Sequence, residues 1–468
     1  MTECIQQTFE FQGLESRRVV ANFEGGYLSS DGGSLFLREI DKAHGVMRQL
    51  AKCFTDHRDP GLVEHSVEEL LSQRIFGLAL GYEDLVDHDQ LRHDPLLAVA
   101  CSKSDPLGST RKEESQKGKA LAGKSTLNRL ELAVEQGASR RYKTIEADVE
   151  KVEDLLLHLA VKALPRKQRT IVLDFDATDD RIHGNQEGRF YHGYYKSYCY
   201  LPLYCFVGNV PLWAQLRTSN RDASKGTVEA LEKIVPAIRA RFGKKVKILV
   251  RGDSGFARDP IMSWCEKQRN VFYLLGLIRN PRLERELEED FEQIEEGVES
   301  GELEAPCRRF KDFTYRTLDS WSRKRRVVGK AERTRQGTNP RFVVTNLPAK
   351  DYPARELYEK DYCARGEMEN QIKVQQLDLF ADRTSTRVMG ANQLRLWFSA
   401  FAHLLVELLR GDALSGTSLA TATPGTIRLR FFKLAARVKV SSRRILVEWC
   451  SACPYQDTYR RAHVALSG

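Results

Sequence analysis

Apolar and polar positions recur along the chain with two different periods, which predict helices in one part and strands in another. Before residue 165, apolar side chains recur every three to four positions, the spacing of one face of a helix. Helices of this kind are predicted at 35–49, 67–80, 127–134 and 144–163. Residues 1–165 are therefore expected to be mostly helical after a short β-like opening.

A different pattern starts near residue 166, where short apolar runs bounded by turn residues predict strands. These runs cover 170–178, 198–207, 211–216, 246–250 and 271–277. Longer amphipathic segments at 225–241 and 258–268 predict helices between them. Strands that alternate with helices in this way indicate an α/β core.

The pattern changes again after residue 280. Residues 283–304 carry eleven acidic side chains and a single arginine, which predicts a solvated helix or an acidic arm. The sign of the charge then reverses, and period-two alternation with aromatic residues predicts a β-rich segment up to residue 340. Beyond it lie a predicted strand at 341–344, a polar helix at 357–379, a buried apolar helix at 393–409 and a basic hairpin at 427–449.

Composition narrows the class of protein. The chain has 468 residues, of which 41% are hydrophobic, enough for about three domains with real cores. Its net charge of +9 suits a polyanionic partner, because Lys and Arg that neutralise phosphates release counterions.

With no apolar run of eighteen residues and no signal-peptide pattern, we expect a cytoplasmic protein without a membrane partner. Its ten cysteines show no disulfide pattern, and we expect Cys450 and Cys453, a CxxC pair, to be buried thiols.

Candidate chemistry begins at the strand 170–178, which carries Asp174 and Asp176 near its end. The two residues are two positions apart, so a strand points both side chains to the same face. Ionised carboxylates at the end of a buried strand need a cationic partner, and a metal ion would supply one. Asp253 follows a later predicted strand, and Glu369 lies on the predicted polar helix. The chain thus offers carboxylates on three separate elements.

Three motifs around these carboxylates resemble the DDE transposases of bacterial insertion sequences, in the group 1 branch. They are a strand with D-x-T at Asp176, a strand with D-S-G-F at Asp253, and a helix with Y-x2-R-x3-E ending at Glu369. The segment G-R-F-Y-H-G-Y-Y-K at 188–196 and an acidic segment at 82–89 extend the resemblance over most of the chain.

The resemblance implies an α/β fold in which an RNase H-like catalytic core is interrupted by a β-rich insertion. The implied segments are a mostly helical DNA-binding domain at 1–165, the core at 166–280 and 341–410, the insertion at 281–340 and a basic extension at 411–468. Asp253 and Glu369 are 116 positions apart, too many for a simple strand-to-helix connection, which is consistent with an insertion. Within it, Arg323, Arg325 and Arg326 lie near aromatic residues and are expected to contact DNA.

The resemblance also implies the catalytic groups. Asp176, Asp253 and Glu369 would hold two Mg2+ ions, for which Mn2+ can substitute, because carboxylate oxygens suit these hard cations. Asp176 occupies the family position, and Asp174, which faces the same way, is the alternative ligand.

Further residues on the polar helix are implied DNA contacts. At 100° per residue, Tyr362, Arg365 and Lys373 project from the same face as Glu369, so they can meet the scissile phosphate or a displaced base. Related transposases carry a Lys seven residues after the Glu, where this chain has Gln376. Lys373, one turn from Glu369, is the alternative for that role.

The expected function is a DNA transposase that binds transposon ends and catalyses metal-dependent cleavage and strand transfer. One alternative is an RNase H-like nuclease without strand transfer. Another is an inactive DNA-binding relative, against which the complete set of two Asp and one Glu argues. The expected partners are transposon-end and target DNA, and joining two ends implies a homodimer, located with the nucleoid in the cytoplasm.

One further motif is typical of a different function, the binding of ATP or GTP. Residues 118–125 match the phosphate-binding pattern GxxxxGK[ST]. That mechanism needs an apolar strand entering the loop, so that backbone amides converge on phosphate, but the polar residues 105–117 precede it. We therefore expect no ATP or GTP binding here, and interpret Ser125 and Thr126 as the cap of the following helix.

Overall fold

A computed structural model describes residues 8–134 and 145–467, which form a mixed α/β structure with one large sheet. The described residues divide into two compact units. The first contains 8–130, 145–146 and 408–467, and the second contains 131–134 and 147–407. The two ends of the chain therefore build one unit together, and the middle of the chain builds the other.

The elements are numbered in chain order. The described strands are β1 (Phe9–Leu14), β2 (Arg17–Ala21), β3 (Leu28–Ser29), β4 (Phe54–Asp56), β5 (Ile145–Ala147), β6 (Thr170–Ala177), β7 (Asp180–Arg181), β8 (Phe190–His192), β9 (Ser197–Tyr200), β10 (Leu203–Val207), β11 (Val210–Gln215), β12 (Lys247–Gly252), β13 (Val271–Leu277), β14 (Cys307–Tyr315), β15 (Arg325–Thr334), β16 (Gly337–Thr338), β17 (Arg341–Thr345), β18 (Ala436–Val440) and β19 (Ile445–Trp449).

The described α-helices are α1 (Ser34–His44), α2 (Val46–Ala51), α3 (Val67–Leu80), α4 (His88–Leu91), α5 (Pro95–Ala100), α6 (Lys124–Glu131), α7 (Val149–Ala163), α8 (Thr227–Phe242), α9 (Asp259–Lys267), α10 (Pro281–Arg285), α11 (Glu288–Glu299), α12 (Ala354–Glu356), α13 (Gly366–Lys373), α14 (Met389–Asp412), α15 (Pro424–Ile427) and α16 (Gln456–Ser467). None of the described helices is long and apolar enough to cross a membrane.

The sheet of the second unit has nine described strands, in the order β11-β10-β6-β12-β13-β17-β15-β14, with β16 paired to β15. β6, β12 and β13 are parallel neighbours at its centre, and the flanking pairs are antiparallel. The carboxyl ends of parallel strands meet at one edge of a sheet, where ligands of α/β proteins generally bind. The ends of β6 and β12 therefore bring Asp176, near the end of β6, and Asp253, directly after β12, to the same edge.

The pattern of β6 explains its position. Ile171, Leu173 and Phe175 are fully buried on one face of the strand. Successive side chains of a strand point to opposite faces, so Asp174 and Asp176 share the other face, as predicted. A strand buried on both sides suits the centre of a parallel sheet.

The first unit combines elements from both ends of the chain. β18 lies between β19 and β3, with Ala436 opposite Ser29, and Lys433 forms an ion pair of 2.7 Å with the buried Asp31. The segment predicted as a C-terminal extension thus packs on N-terminal residues. The predicted helix at 35–49 is two helices, because Gly45 adopts a left-handed conformation that ends α1.

The structure adds detail to one other expectation and corrects a second. The strands predicted before residue 340 are present, and β14 and β15 extend the central sheet beyond β17. The acidic run before them is helical, as α10 and α11. Cys450 is exposed and Cys453 is partly exposed, so the prediction of two buried thiols is wrong.

Candidate active site

Asp176 lies near the end of β6, where the strand leaves the sheet. Its Oδ1 accepts a hydrogen bond of 2.8 Å from the amide of Ala177, and its Oδ2 lies 3.3 Å from Nη1 of Arg365. The side chain is largely buried. One oxygen of the carboxylate is therefore fixed by the backbone, and the other faces a cation.

Asp253 follows β12 in the turn Asp253-Ser-Gly255. Its Oδ1 accepts a hydrogen bond of 2.8 Å from the amide of Gly255, which orients the carboxylate. A Cβ on Gly255 would lie 3.0 Å from that same oxygen and 3.3 Å from Cβ of Ala223. The glycine of the D-S-G-F motif thus lets the backbone approach the carboxylate closely.

Glu369 lies on α13, and its carboxylate is joined to Asp176 through a shared cation. Nη2 of Arg365 donates to Oε1 of Glu369 at 2.9 Å, while Nη1 of the same guanidinium contacts Asp176. The predicted helix at 357–379 is irregular, with π-helical turns over 357–362 and 374–378 and a 3-10 turn over 363–365. Such turns often occur at functional sites.

These carboxylates face one cavity of about 570 Å³. Asp176, Asp253 and Glu369 line it together with Arg365 and Lys373. Three acidic and two basic side chains from β6, β12 and the helical segment thus meet in one place, as the sequence motifs led us to expect.

At Asp176, burial is the largest electrostatic influence, and the opposite charge of Arg365 is the next largest. Burial raises the pKa of Asp176 to about 6, with Asp253 and Glu369 acting in the same direction and Arg365 opposing them. Carboxylate oxygens are the ligands that hard divalent cations prefer in proteins. Among the residues that the structure describes, no three potential ligands are grouped closely enough to hold a metal ion. In the arrangement described, the guanidinium of Arg365 stands between two of the carboxylates.

Asp174 has different surroundings from Asp176. Both of its oxygens accept hydrogen bonds from Arg251, whose side chain is equally buried. Asp174 is not among the residues lining the cavity. Its carboxylate is therefore committed to an ion pair inside the protein.

The other residues predicted on the same helix face as Glu369 do not all lie at the cavity. Lys373 lines the cavity, but Tyr362 does not; its ring packs beside Tyr358, with centroids 5.5 Å apart. A side chain at Gly276 would collide with the Tyr362 hydroxyl, so this glycine makes room for the ring. Gln376 lines the cavity and donates to Oδ1 of Asp180 at 2.8 Å.

The predicted DNA contacts at Arg325 and Arg326 are corrected by the structure. The Arg325 side chain is only 1% exposed and forms ion pairs with Asp259 at 2.7 Å and Glu266 at 2.8 Å. Arg326 pairs with Asp312 and also donates to two backbone carbonyls. Both guanidinium groups are used inside the protein, because partners distant in sequence neutralise them. Arg323, 66% exposed, stays a predicted DNA contact.

The residues matching the phosphate-binding pattern, 118–125, do not form a phosphate cradle. The amide of Ala122 donates to Oε1 of Gln73 at 3.0 Å, and the amide of Lys124 donates to Oδ1 of Asp89 at 3.0 Å. The Lys124 ammonium also pairs with Asp89, at 3.2 Å. Two backbone amides and the lysine ammonium that would have to bind a phosphate are therefore already bonded to other side chains.

Sequence reasoning missed three aromatic residues of the cavity. His192, Tyr194 and Tyr195 line it beside the carboxylates. They belong to the segment 188–196, which the sequence analysis used only as a family motif. Its high density of aromatic side chains outside any predicted core element was the signal that could have identified them.

The similarity to a known protein family covers almost the whole chain. A family model described as "Transposase DDE domain group 1" matches residues 11–467. No curated protein matches the chain significantly. A solved structure of the piggyBac transposase synaptic complex with hairpin DNA is similar at 11% identity and a TM-score of 0.42, covering 86% of this chain and 80% of the other.

Proposed function

Because the chain belongs to the family of group 1 transposase DDE domains, we propose that it is the transposase of a bacterial insertion sequence. It binds the ends of its element, cleaves them in a metal-dependent reaction and joins them to target DNA. The observation that carries this proposal is the meeting of Asp176, Asp253 and Glu369 with Arg365 and Lys373 in one cavity.

In this proposal Asp176, Asp253 and Glu369 are the metal ligands. Their oxygens suit Mg2+ or Mn2+, and Asp176 is preferred to Asp174, whose two oxygens are occupied by Arg251. Divalent ions bound there would supply Lewis-acid activation of the nucleophile and stabilisation of the leaving oxygen.

The reaction is an in-line displacement at phosphorus. Water attacks the phosphodiester at the element end and releases a 3′-hydroxyl, which then attacks a phosphodiester of target DNA. Each step forms one P–O bond and breaks another. Arg365 and Lys373 bind the negatively charged scissile phosphate, and Arg365 gives up its contacts with Asp176 and Glu369 to do so. Tyr362 holds the helical segment against the sheet.

The mixed sheet is proposed to be the RNase H-like core of this enzyme. Support comes from carboxylates at the ends of the neighbouring parallel strands β6 and β12. The N-terminal part of the chain, residues 1–165, is proposed to bind end DNA, with exposed Arg323 as a further contact. Two copies act together when two ends are joined, and the protein works on DNA in the cytoplasm, at the nucleoid.

A reconstituted reaction tests the proposal. Purified protein is incubated with Mg2+, a linear duplex carrying the element's terminal sequence joined to flanking DNA, and a supercoiled target plasmid. We expect cleavage at the element boundary and a covalent product in which the end is joined to the plasmid. Cleavage without any joined product would instead identify a nuclease, and the absence of both would leave only DNA binding.

A further inference from the structure

The segment that carries the missed aromatic residues is a small hairpin with little core of its own. β8 and β9 pair in antiparallel fashion and, with β7, form a three-stranded sheet. We call residues 189–198 the aromatic hairpin. It contains six aromatic rings: Phe190, Tyr191, His192, Tyr194, Tyr195 and Tyr198.

One face of the aromatic hairpin carries a row of rings and a cation. Tyr191 lies directly opposite Tyr198, with ring centroids 5.6 Å apart at 74°. The guanidinium of Arg189 lies over the Tyr198 ring, 4.8 Å from its centroid. Both tyrosines are exposed, so these contacts hold the hairpin in shape without burying its surface.

The turn of the aromatic hairpin lies at the carboxylate cavity. The Tyr195 ring packs between His192, at 4.9 Å, and Tyr194, at 5.0 Å and 86°. Burial raises the pKa of Tyr195 to about 12, and the charges of Asp176 and Asp253 add to this effect. Tyr195 is thus a partly buried ring beside the acids, and Tyr194 packs against it.

Tyr194 is the unusual member of the group. It lines the cavity with Asp253 and Glu369, yet 83% of its surface is exposed. The ring is almost perpendicular to that of Tyr195, and this single contact leaves most of its surface open to solvent. Exposed rings of this kind accept the flat face of a nucleobase, and such stacking tolerates any base.

We propose that the aromatic hairpin binds an unpaired nucleobase of DNA by stacking it on Tyr194. This inference rests on the proposed function and adds a ligand subsite to it. Lys196 and Arg189, both exposed on the same hairpin, bind the phosphates that flank the base. The scissile phosphate then lies against Arg365 and Lys373, which line the same cavity.

The charges of the cavity and hairpin favour DNA as the occupant. An apolar peptide would use the rings but would offer no anionic group to Arg189, Lys196 or Lys373. A single strand of DNA supplies both groups at once, since each nucleotide carries one base and one phosphate. Duplex DNA alone cannot use Tyr194, because its bases are stacked on one another.

The test compares two DNA probes of equal length and arbitrary sequence. One is a fully paired duplex, and the other carries a single unpaired 2-aminopurine, whose fluorescence falls when it stacks on an aromatic ring. Binding is measured by anisotropy and stacking by fluorescence, both without divalent metal so that no cleavage occurs. The wild-type protein should bind the unpaired probe more tightly than the duplex and quench its fluorescence.

Three variants separate stacking from other effects. Tyr194→Ala should lose the preference for the unpaired probe by about 5- to 100-fold, together with the quenching. Tyr194→Phe should keep both, because stacking needs the ring and not the hydroxyl. Val464→Ala, which trims a 71% exposed apolar side chain outside the cavity, should also keep both. Thermal unfolding checks that all three variants fold.

Each result is decisive. If Tyr194→Ala keeps the preference and the quenching, or if Tyr194→Phe loses them equally, the stacking role is wrong. If the wild-type protein binds both probes equally, the subsite is wrong while DNA binding stands. If it binds neither probe at low salt, the proposed function itself is wrong.

Discussion

The guanidinium of Arg251 donates to both carboxylate oxygens of Asp174, from Nε at 2.5 Å and from Nη2 at 2.7 Å. The two residues are direct partners in the parallel pairing of β12 with β6. Arg251 also donates to the carbonyl of Asp361, in the segment that leads to Glu369. This ion pair therefore links the central strands to the helical segment and separates the roles of Asp174 and Asp176.

The first prediction concerns these two neighbouring aspartates. Asp174→Ala leaves a buried Arg251 without its partner, so the free energy of unfolding should fall by about 3–5 kcal/mol. Asp176→Asn removes a proposed metal ligand and relieves repulsion among carboxylates, so it should fold normally but lose cleavage. Urea unfolding and end cleavage are measured on both variants. Normal cleavage by Asp176→Asn, together with normal stability of Asp174→Ala, would reverse the assignment.

The second prediction concerns Arg365 and metal affinity. In Arg365→Ala the contacts with Asp176 and Glu369 are lost, so these carboxylates should bind Mn2+ roughly tenfold more tightly in the absence of DNA. The measurement is the rise in melting temperature on titration with Mn2+. Lys360→Ala, which removes an exposed cation paired with Glu356, is the matched control and should titrate like the wild type. An unchanged titration in Arg365→Ala would mean that its guanidinium does not compete with metal.

The third prediction separates two arginines that are close in sequence. Arg325→Ala should lower the free energy of unfolding by about 3–5 kcal/mol, because Asp259 and Glu266 lose a buried partner. Arg323→Ala should change it by at most about 0.5 kcal/mol but lower the slope of log K against log salt for DNA by about one. Unfolding curves and salt titrations test both. Equal stability of the two variants would contradict the buried role of Arg325.

The fourth prediction is that ATP has no part in the reaction. The loop amides that would bind phosphate already donate to Gln73 and Asp89. Lys124→Ala should therefore leave DNA cleavage in nucleotide-free buffer unchanged, and ATP should not raise the melting temperature of the wild type. A requirement for ATP that disappears in this variant would contradict the prediction.

The fifth prediction concerns acid stability. Burial, with the nearby cations Lys103 and Arg111, lowers the pKa of His65 to about 3, below its value in the unfolded chain. The folded state then binds fewer protons, so stability is highest above pH 6.5 and falls as the pH drops from 6.5 towards 3, by up to about 1.4 kcal/mol per pH unit. His65→Gln should reduce this slope in urea unfolding measured between pH 7 and 5. His88, whose pKa is also lowered to about 3, should retain a share of it.

Local patterns were sufficient for many elements. The apolar run 271–277 and the helical period at 67–80 have the same bounds as β13 and α3, and Ser66 and Glu69 form the capping box that starts this helix. Both signals lie within one element, so a single sequence contains them in full. The motifs around Asp176, Asp253 and Glu369 are local in the same way, and these three residues line one cavity in the structure.

Pairing between distant segments was not accessible in that way. The alternating pattern of β15 predicts a strand but does not tell which neighbour it joins, so its place beside β17 was missed. The basic residues near 325 indicate charge, but Asp259 and Glu266, about sixty positions earlier, decide that Arg325 is buried. The prediction of a regular helix at 357–379 was wrong, because local helix propensity does not distinguish α-helical from π-helical turns.

The pairing of β3 with β18 has a consequence for how the protein is made. Ser29 leaves the ribosome early, but its partner Ala436 is synthesised roughly 20 to 80 s later at ordinary translation rates. The N-terminal strand must therefore wait for the last part of the chain before the first unit can be completed. A copy of the gene that is interrupted between the codons for Glu369 and Ala436 yields a protein that cannot form this pairing, even though every proposed catalytic carboxylate has been translated.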